Sequence, residues 1–145
     1  MNPKNSPILI SACLLGINCR YDGTNALNKK LIKRYAKECL IPVCPEQLGG
    51  LPTSRTEAEI RGKDVIDKSG RVVTKEFKKG AKEVLKIAKL FGAKKAVLKE
   101  KSPSCGVKLI YKNGKLVKGQ GITTRLLKDN GIEVEGAELF SHCFF

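Results

Sequence analysis

The stretch PILISACLL, residues 7–15, decides the fold. Its apolar side chains follow one another without the alternation of a strand that has one face in water, which predicts a strand buried on both faces. A helix is predicted at residues 26–39, where apolar side chains recur near helical spacing, and IPVC, residues 41–44, is predicted to be a second strand. Strand, helix and strand in this order indicate a parallel unit.

Two β-hairpins are predicted from turn signals between apolar runs. The first spans residues 62–73 and turns at residues 67–70, and the second spans residues 107–119. Asn113 and Gly114 give the second hairpin a two-residue turn, because Asn and Gly tolerate the positive φ angles that such a turn requires. Both hairpins are expected as additions to the main sheet.

Two further helices are predicted from their capping residues. Thr74 is expected to cap a helix with a regular apolar stripe, and Gly92 is expected to end it. Thr123 or Thr124 is expected to cap a shorter helix that stops at residues 130–131. Lysines cover the other side of the longer helix, as a helix on the surface of a protein requires.

Two more strands, at residues 96–98 and 132–134, complete the prediction. Strands separated by amphipathic helices predict an α/β fold with right-handed crossovers. We expect one three-layer domain over residues 1–145, in which a mainly parallel, Rossmann-like sheet has helices on both faces and carries the two β-hairpins. In such sheets, ligands bind beyond the carboxyl ends of the strands.

The composition is that of a globular protein, with 41% hydrophobic and 29% charged residues in a chain of 145. The longest nearly apolar stretch, residues 8–17, is about half as long as a membrane span. No basic region followed by a cleavage site marks a signal peptide. We therefore expect a cytoplasmic protein that does not enter a membrane.

The formal net charge is +14, and much of it comes from residues 75–118, which hold 14 lysines and three glutamates. A basic surface attracts anions such as nucleotides and nucleic acids. However, this stretch lacks arginine and has few aromatic side chains, which a nucleic-acid-binding surface usually combines with its lysines. A solvated, lysine-rich exterior is the simpler interpretation, so a nucleic-acid partner is not favoured.

Three cysteines lie where three predicted strands end. Cys13 closes the first strand, Cys44 closes the second, and Cys105 follows the strand at residues 96–98. Because the carboxyl ends of parallel strands meet at one edge of a sheet, these thiols are expected to converge. Three thiolates leave one position open on a zinc ion or on a four-iron cluster, and an open position is typical of a site that binds substrate.

The other cysteines and the one histidine are weaker candidates. Cys19 lies close to Cys13 in sequence and is a possible fourth ligand, whereas Cys39 falls on the apolar side of the predicted helix and is expected in the core. His142 and Cys143 belong to the C-terminal tail. The sequence assigns no role to either of them.

Polar residues that a reaction would need flank these cysteines. Glu46 lies two residues after Cys44 and is a candidate base for activating water. Ser102 and Ser104 bracket Pro103, which restricts the directions of their hydroxyl groups. Asp22 is either a polar group for the reaction or a turn residue before Gly23. Arg20 and Arg55 either hold an anionic substrate or pair with the acids.

Three motifs carry a resemblance to a known family: SACLLGINCRYDG at residues 11–23, VCPEQLGGLPTSR at residues 43–55, and KEKSPSCG at residues 99–106, followed by GQGITTRLL. The chain resembles a family of small cytoplasmic iron–sulfur proteins whose characterised members are thiouracil desulfidases. The resemblance implies an oxygen-sensitive enzyme with a [4Fe-4S] cluster. It further implies that the cluster ligands are Cys13, Cys44 and Cys105 and that the catalytic residues are Glu46 and Ser102.

The reaction implied by this resemblance is a non-redox removal of sulfur from a thiolated pyrimidine. The open iron takes the sulfur, Glu46 activates the attacking water, and Ser102 holds the ring or relays a proton. Two alternatives remain: sulfur chemistry on a thiolated nucleotide or tRNA, and a zinc-binding module without catalysis. The oligomeric state is not predictable from the sequence.

Overall fold

A computed structural model describes residues 6–137 of the chain. The described strands form two four-stranded sheets. In chain order the elements are β1 (Ile8–Ser11), α1 (Lys29–Arg34), β2 (Leu40–Val43), α2 (Pro45–Leu48), β3 (Ala58–Arg61), β4 (Asp64–Asp67), α3 (Thr74–Phe91), β5 (Lys95–Leu98), β6 (Leu109–Lys112), β7 (Lys115–Lys118), α4 (Ile122–Asp129) and β8 (Glu133–Gly136). A single 3-10 turn, Ala12–Leu15, follows β1 directly.

The main sheet has the strand order β2-β1-β5-β8, and all of its pairs are parallel. All four residues of β1 are buried, as the unbroken apolar run predicted. The strand is shorter than the run, because residues 12–15 leave the sheet in the 3-10 turn. The parallel α/β fold is therefore confirmed.

Helices cover both faces of the main sheet. On one face, Leu9 and Leu98 pack into a core that includes Val84 of α3 and Leu127 of α4. On the other face, side chains of β1 and β5 pack against residues of α1 and the turn after it: Ile8, Ile10, Val97, Leu31 and Tyr35. The three-layer arrangement follows from this alternation of side chains along β1 and β5.

The two hairpins join in a second sheet with the order β4-β3-β6-β7, in which β3 pairs with β6 in parallel. The second hairpin turns at Asn113 and Gly114, with φ angles of 51° and 78°, as predicted. The first hairpin is partly as predicted, because the chain turns at residues 67–70 and an antiparallel bridge joins Ile66 to Val72 across that turn. The pairing of two full strands, β3 and β4, lies before it and turns at Gly62, whose φ angle is 61°.

Two helix starts also differ from the prediction. The helix expected at residues 26–39 is reduced to α1, and it begins where the Asn28 side chain accepts a hydrogen bond from the Leu31 N–H at 3.0 Å. Cys39 is exposed, so its expected place in the core was wrong. The cap of α4 is Gly121 rather than Thr123 or Thr124, because the Ser104 carbonyl accepts the N–H of Thr123 at 2.9 Å and satisfies this helix end from outside.

The long helix α3 ends as predicted, at Gly92 in a left-handed conformation with a φ angle of 69°. Its start differs from the prediction. The Thr74 hydroxyl donates a hydrogen bond to the Asp64 carboxylate and accepts one from the Val65 N–H, so it does not cap the helix. A third core lies between α3 and the second sheet and includes Phe77, Val65 and Val73. Within residues 6–137, no helix combines the length and the apolar character needed to cross a membrane.

Candidate metal centre

The three predicted cysteines lie at the carboxyl ends of three neighbouring strands. Cys13 is in the 3-10 turn after β1, Cys44 precedes α2 directly after β2, and Cys105 is in the loop after β5. Because β1 lies between β2 and β5, these positions meet at one edge of the main sheet. The structure thus brings together residues separated by as much as 92 positions in sequence.

The thiols act on one another electrostatically. Burial and, to a lesser degree, the neighbouring Cys44 raise the pKa of Cys13 to about 11, although the charges of Lys99 and Arg20 oppose the shift. Burial also raises the pKa of Cys105 above its usual range, and Glu46, Cys13 and Cys44 add to the increase. The protein alone therefore favours neutral thiols here. A cationic group that binds the thiolates would supply the missing stabilisation.

The donor set suits iron and zinc, because several buried thiolates at one place are typical ligands of both. In the described part of the chain, no group of three or more His, Cys, Asp and Glu side chains is arranged to hold one metal ion. A four-iron cluster takes each thiolate on a different iron, so its ligands need not surround a single point. The chemistry of the three cysteines fits such a cluster.

A short helix, α2, holds both Cys44 and Glu46, and the sequence analysis did not predict it. The backbones of α2 and α3 are in close contact. A side chain at Gly49 would overlap the Glu76 carbonyl, and one at Gly80 would overlap the Pro45 carbonyl. Gly80 was the available signal, since glycine in a helix interior is unfavourable unless another segment needs the space.

The loop that carries Cys105 is built around Glu100, a residue that the sequence did not identify as part of the site. Glu100 is 4% exposed, and its carboxylate accepts hydrogen bonds from the backbone N–H groups of Val107, Lys108 and Leu109 at 2.7 to 3.3 Å. Gly136 of β8 leaves room for the carboxylate, because any side chain there would overlap it. A buried carboxylate thus closes the loop after β5.

Ser102 and Ser104 have defined partners within the same loop. The Ser102 hydroxyl oxygen accepts the N–H groups of Ser104 and Cys105, each at 2.9 Å, which folds the loop around the cysteine. Ser104 is buried and shares a hydrogen bond of 2.9 Å with Thr123. Gly121 lets α4 approach this loop, since a side chain there would overlap the Ser104 carbonyl.

Ser11, at the end of β1, is a further group that the sequence analysis missed. Its hydroxyl accepts the Lys99 N–H at 2.9 Å and so joins the end of β1 to the loop after β5. A hydrogen bond from Ser11 lowers the pKa of Cys105 and partly offsets the effect of burial. The sequence of β1 contained the signal, because a lone serine in a fully buried strand needs a polar partner.

Cys19 is a fourth thiol at this edge of the sheet. It is 2% exposed, and the Cys44 thiol donates a weak hydrogen bond to its carbonyl at 3.7 Å. Burial, together with Cys44 and Cys13, raises the pKa of Cys19 to about 12. Cys39 lies on the surface, and His142 and Cys143 lie outside the described residues.

The candidate base Glu46 forms an ion pair with Arg55. The Arg55 Nε atom lies 2.6 Å from Glu46 Oε2, and both side chains are largely buried. A cavity of about 200 Å³ lies against this pair and reaches the core residue Phe77. Of the two open interpretations for Arg55, binding an anion or pairing with an acid, the structure favours the ion pair.

Asp22 and Arg20 are placed at the edge of this region. Asp22 is a turn residue, because its carboxylate accepts the Thr24 N–H at 3.1 Å. The Thr24 hydroxyl also donates to this carboxylate at 2.5 Å. The hydrogen bonds from the Thr24 hydroxyl and N–H lower the pKa of Asp22. The Arg20 guanidinium lies 5.6 Å from the centre of the Tyr21 ring, and its charge lowers the pKa of Cys13.

The chain is similar to known proteins over most of its length. A model of the 2-thiouracil desulfurase family matches residues 8–138. The chain is 41% identical over 140 residues to the uncharacterized protein YbbK of Bacillus subtilis (strain 168), with 88% of this chain and 93% of YbbK covered. A solved structure of the [4Fe-4S]-dependent thiouracil desulfidase TudS matches with a TM-score of 0.85 and 41% identity, with 94% of this chain and 93% of TudS covered.

Proposed function

The chain belongs to the 2-thiouracil desulfurase family, and from this premise we propose that it removes sulfur from a thiolated pyrimidine of the thiouracil type. The proposed cofactor is a [4Fe-4S] cluster held by Cys13, Cys44 and Cys105. The observation that carries the proposal is the position of these three thiols, two buried and one half-buried, at the carboxyl ends of the neighbouring strands β1, β2 and β5. The likeness to TudS, named as [4Fe-4S]-dependent, supports the choice of cofactor.

The proposed reaction is hydrolytic. The oxygen of water replaces the sulfur of the thiocarbonyl group, and the sulfur leaves as hydrogen sulfide, so no electrons are gained or lost. With three protein ligands, a bound cluster supplies a Lewis-acidic iron with an open position for the substrate's sulfur. The protein must hold the three thiolates, admit the substrate and move protons.

Glu46 is the proposed base that takes a proton from the attacking water. Its position on α2, two residues after Cys44, and its electrostatic effect on Cys105 support a role beside the cysteines. The close packing of α2 against α3 fixes the position of the helix that carries Glu46. A base held in this way contributes about 100-fold or more to a rate.

Ser102 is the second proposed catalytic residue. Its hydroxyl oxygen accepts two backbone N–H groups, which orients the hydroxyl and leaves its own proton as a donor. We propose that this proton goes to the substrate ring or is relayed to the departing sulfide. The same two hydrogen bonds shape the Cys105 loop, so Ser102 links the geometry of the ligand to the chemistry.

The test of the function is anaerobic reconstitution with iron and sulfide, followed by an assay of sulfide release from 2-thiouracil and 4-thiouracil. We expect release that depends on the cluster. Glu46→Gln should lower turnover by about 100-fold or more while the visible absorption of the cluster is retained. The matched control is Glu59→Gln, which breaks the ion pair with Arg61 in the second sheet and should leave turnover unchanged.

The ligand assignment is tested separately by the iron content. Cys13→Ala, Cys44→Ala and Cys105→Ala should each lose iron, whereas Cys39→Ala, at an exposed position, should not. Full iron content in all three variants would refute the assignment. A colourless protein that retains zinc after anaerobic purification would instead favour a zinc-binding module.

A thiolated nucleotide or tRNA is the second candidate substrate. It is favoured by the outer face of α3, where six lysines are exposed: Lys75, Lys78, Lys79, Lys82, Lys86 and Lys89. Activity on such a substrate should fall steeply as the salt concentration rises, because phosphate contacts release counterions. Activity on a free base should change little with salt, so the two substrates are distinguished by one titration.

A further inference from the structure

The ion pair between Arg55 and Glu46 is largely buried. Their side chains are 7% and 17% exposed, whereas the side chain of Arg61, in the pair with Glu59, is 53% exposed. Exposed ion pairs contribute little because solvent screens them. A largely buried, charge-assisted bond of 2.6 Å instead fixes the position of both groups.

The other two nitrogens of the guanidinium donate hydrogen bonds to backbone carbonyls. Nη2 donates to the Cys19 carbonyl at 3.0 Å, and Nη1 donates to the Pro52 carbonyl at 3.3 Å. The Cys19 carbonyl also accepts the weak hydrogen bond from the Cys44 thiol. One side chain thus connects the carboxylate of Glu46 to the segment that borders Cys44.

The pair leaves one oxygen of Glu46 available. Among residues 6–137, the hydrogen bonds to the Glu46 carboxylate use Oε2 alone, so Oε1 remains accessible to a water molecule. A lysine could neutralise the same charge, but its single ammonium group cannot bind the carboxylate and two carbonyls in a fixed planar geometry.

We propose that Arg55 is a positioning residue for the reaction: its guanidinium holds Glu46 through Oε2, so that Oε1 faces the attacking water in a fixed orientation. This inference rests on the proposed function, in which Glu46 takes a proton from that water. Arg55 acts on the reaction through Glu46 and not on the cluster ligands. A displacement of about 1 Å in a catalytic group lowers a rate by about 100-fold.

The test compares Arg55→Met and Arg55→Lys with Arg61→Met, which removes the guanidinium from the exposed ion pair. With reconstituted protein and 2-thiouracil, we expect Arg55→Met to lower kcat by about 10- to 100-fold, while KM changes by less than about threefold. Arg55→Lys should lie between Arg55→Met and the wild type. Iron content and visible absorption should equal those of the wild type in all three variants.

Restoration of activity by added guanidinium ions would distinguish a positioning role of Arg55 from a general effect on folding. Arg55 borders the cavity of about 200 Å³, and Arg55→Ala would enlarge it by the volume of the missing side chain. Millimolar guanidinium chloride should therefore restore several-fold of the lost kcat in Arg55→Ala, and sodium chloride at equal ionic strength should not.

Two results would overturn the role of Arg55: turnover in Arg55→Met equal to that in Arg61→Met, or a loss of iron in proportion to the loss of activity. The second result would mean that Arg55 holds the cysteine segments and not Glu46. If wild-type protein with full iron content releases no sulfide, the proposed function itself is wrong, and the role of Arg55 in it is overturned as well.

Discussion

At the scale of single residues, the site depends on groups that never touch the substrate in the proposed reaction. Ser11 ties the end of β1 to the loop after β5, and Glu100 closes that loop from inside. Each of them satisfies backbone N–H groups that would otherwise be buried without a partner, which costs about 1–3 kcal/mol per group. The arrangement of Cys105 therefore depends on buried polar groups that surround it.

The cysteines themselves could be predicted, whereas the role of Glu100 could not. Cys13, Cys44 and Cys105 recur at the ends of predicted strands, and that repetition is visible in the sequence. Glu100 stands in a lysine-rich stretch, where a carboxylate is expected on the surface. Its burial depends on the path of residues 107–109 and on Gly136, which approach it only in the folded chain.

We expect Glu100→Gln to weaken both the fold and the retention of iron. Glutamine has one acceptor oxygen, and its amide NH₂ would face backbone N–H groups, so unfolding should become easier by about 1–3 kcal/mol. Urea denaturation measures this change, and the iron content after gel filtration measures retention. Glu133→Gln is the matched control, because Glu133 is 68% exposed and its ion pair with Lys95 is long, at 3.9 Å. Equal effects of the two substitutions would contradict the structural role of Glu100.

At the scale of elements, the contact between α2 and α3 sets the position of Cys44 and Glu46. Two glycines make this contact possible: Gly49, at the end of α2, and Gly80, within α3. The helix α2 is only one turn long and has no apolar periodicity that would reveal it in the sequence. Short elements held by tertiary contacts are the part of this fold that the sequence pattern did not predict.

The hairpins illustrate the same limit. The turn at Asn113 and Gly114 was predictable, because its residue types demand that conformation. The turn at residues 67–70 was also predictable, and there the Asp67 side chain accepts the N–H groups of Ser69 and Arg71. The sequence did not show that the pairing of full strands, β3 with β4, uses the earlier turn at Gly62, whereas the predicted turn is crossed by the bridge between Ile66 and Val72.

We expect Gly80→Ala to be strongly destabilising, although alanine usually stabilises a helix. The new methyl group would overlap the Pro45 carbonyl, so α2 must move away from α3. A backbone shift of this kind costs about 1–3 kcal/mol or more. Thermal unfolding measures the loss, and Cys44 and Glu46 should lose alignment, so the reconstituted variant should also lose activity. Lys79→Ala, at an exposed position on the same helix, should leave both unchanged.

At the scale of the whole molecule, the main sheet brings the three cysteines together, and each one comes from a different loop. No local spacing could hold a cluster, since the cysteines are separated by 31 and 61 positions. A group bound to all three therefore binds the folded chain and not the unfolded one. Binding of this kind adds to the stability of the fold by linkage.

We therefore expect the cluster-loaded protein to unfold at a higher temperature than the same protein after removal of the iron. Binding at 100 times the dissociation constant adds about 2.7 kcal/mol, and tighter binding adds more. The measurement is anaerobic thermal unfolding before and after chelation of the iron under oxidising conditions, followed by reconstitution, which should restore the higher temperature. In Cys105→Ala, preparations with and without the reconstitution treatment should unfold at the same temperature, because the loop after β5 no longer supplies a ligand and the variant does not retain the iron. A wild-type protein whose unfolding temperature does not change with its iron content would contradict a cluster that joins the three strand ends.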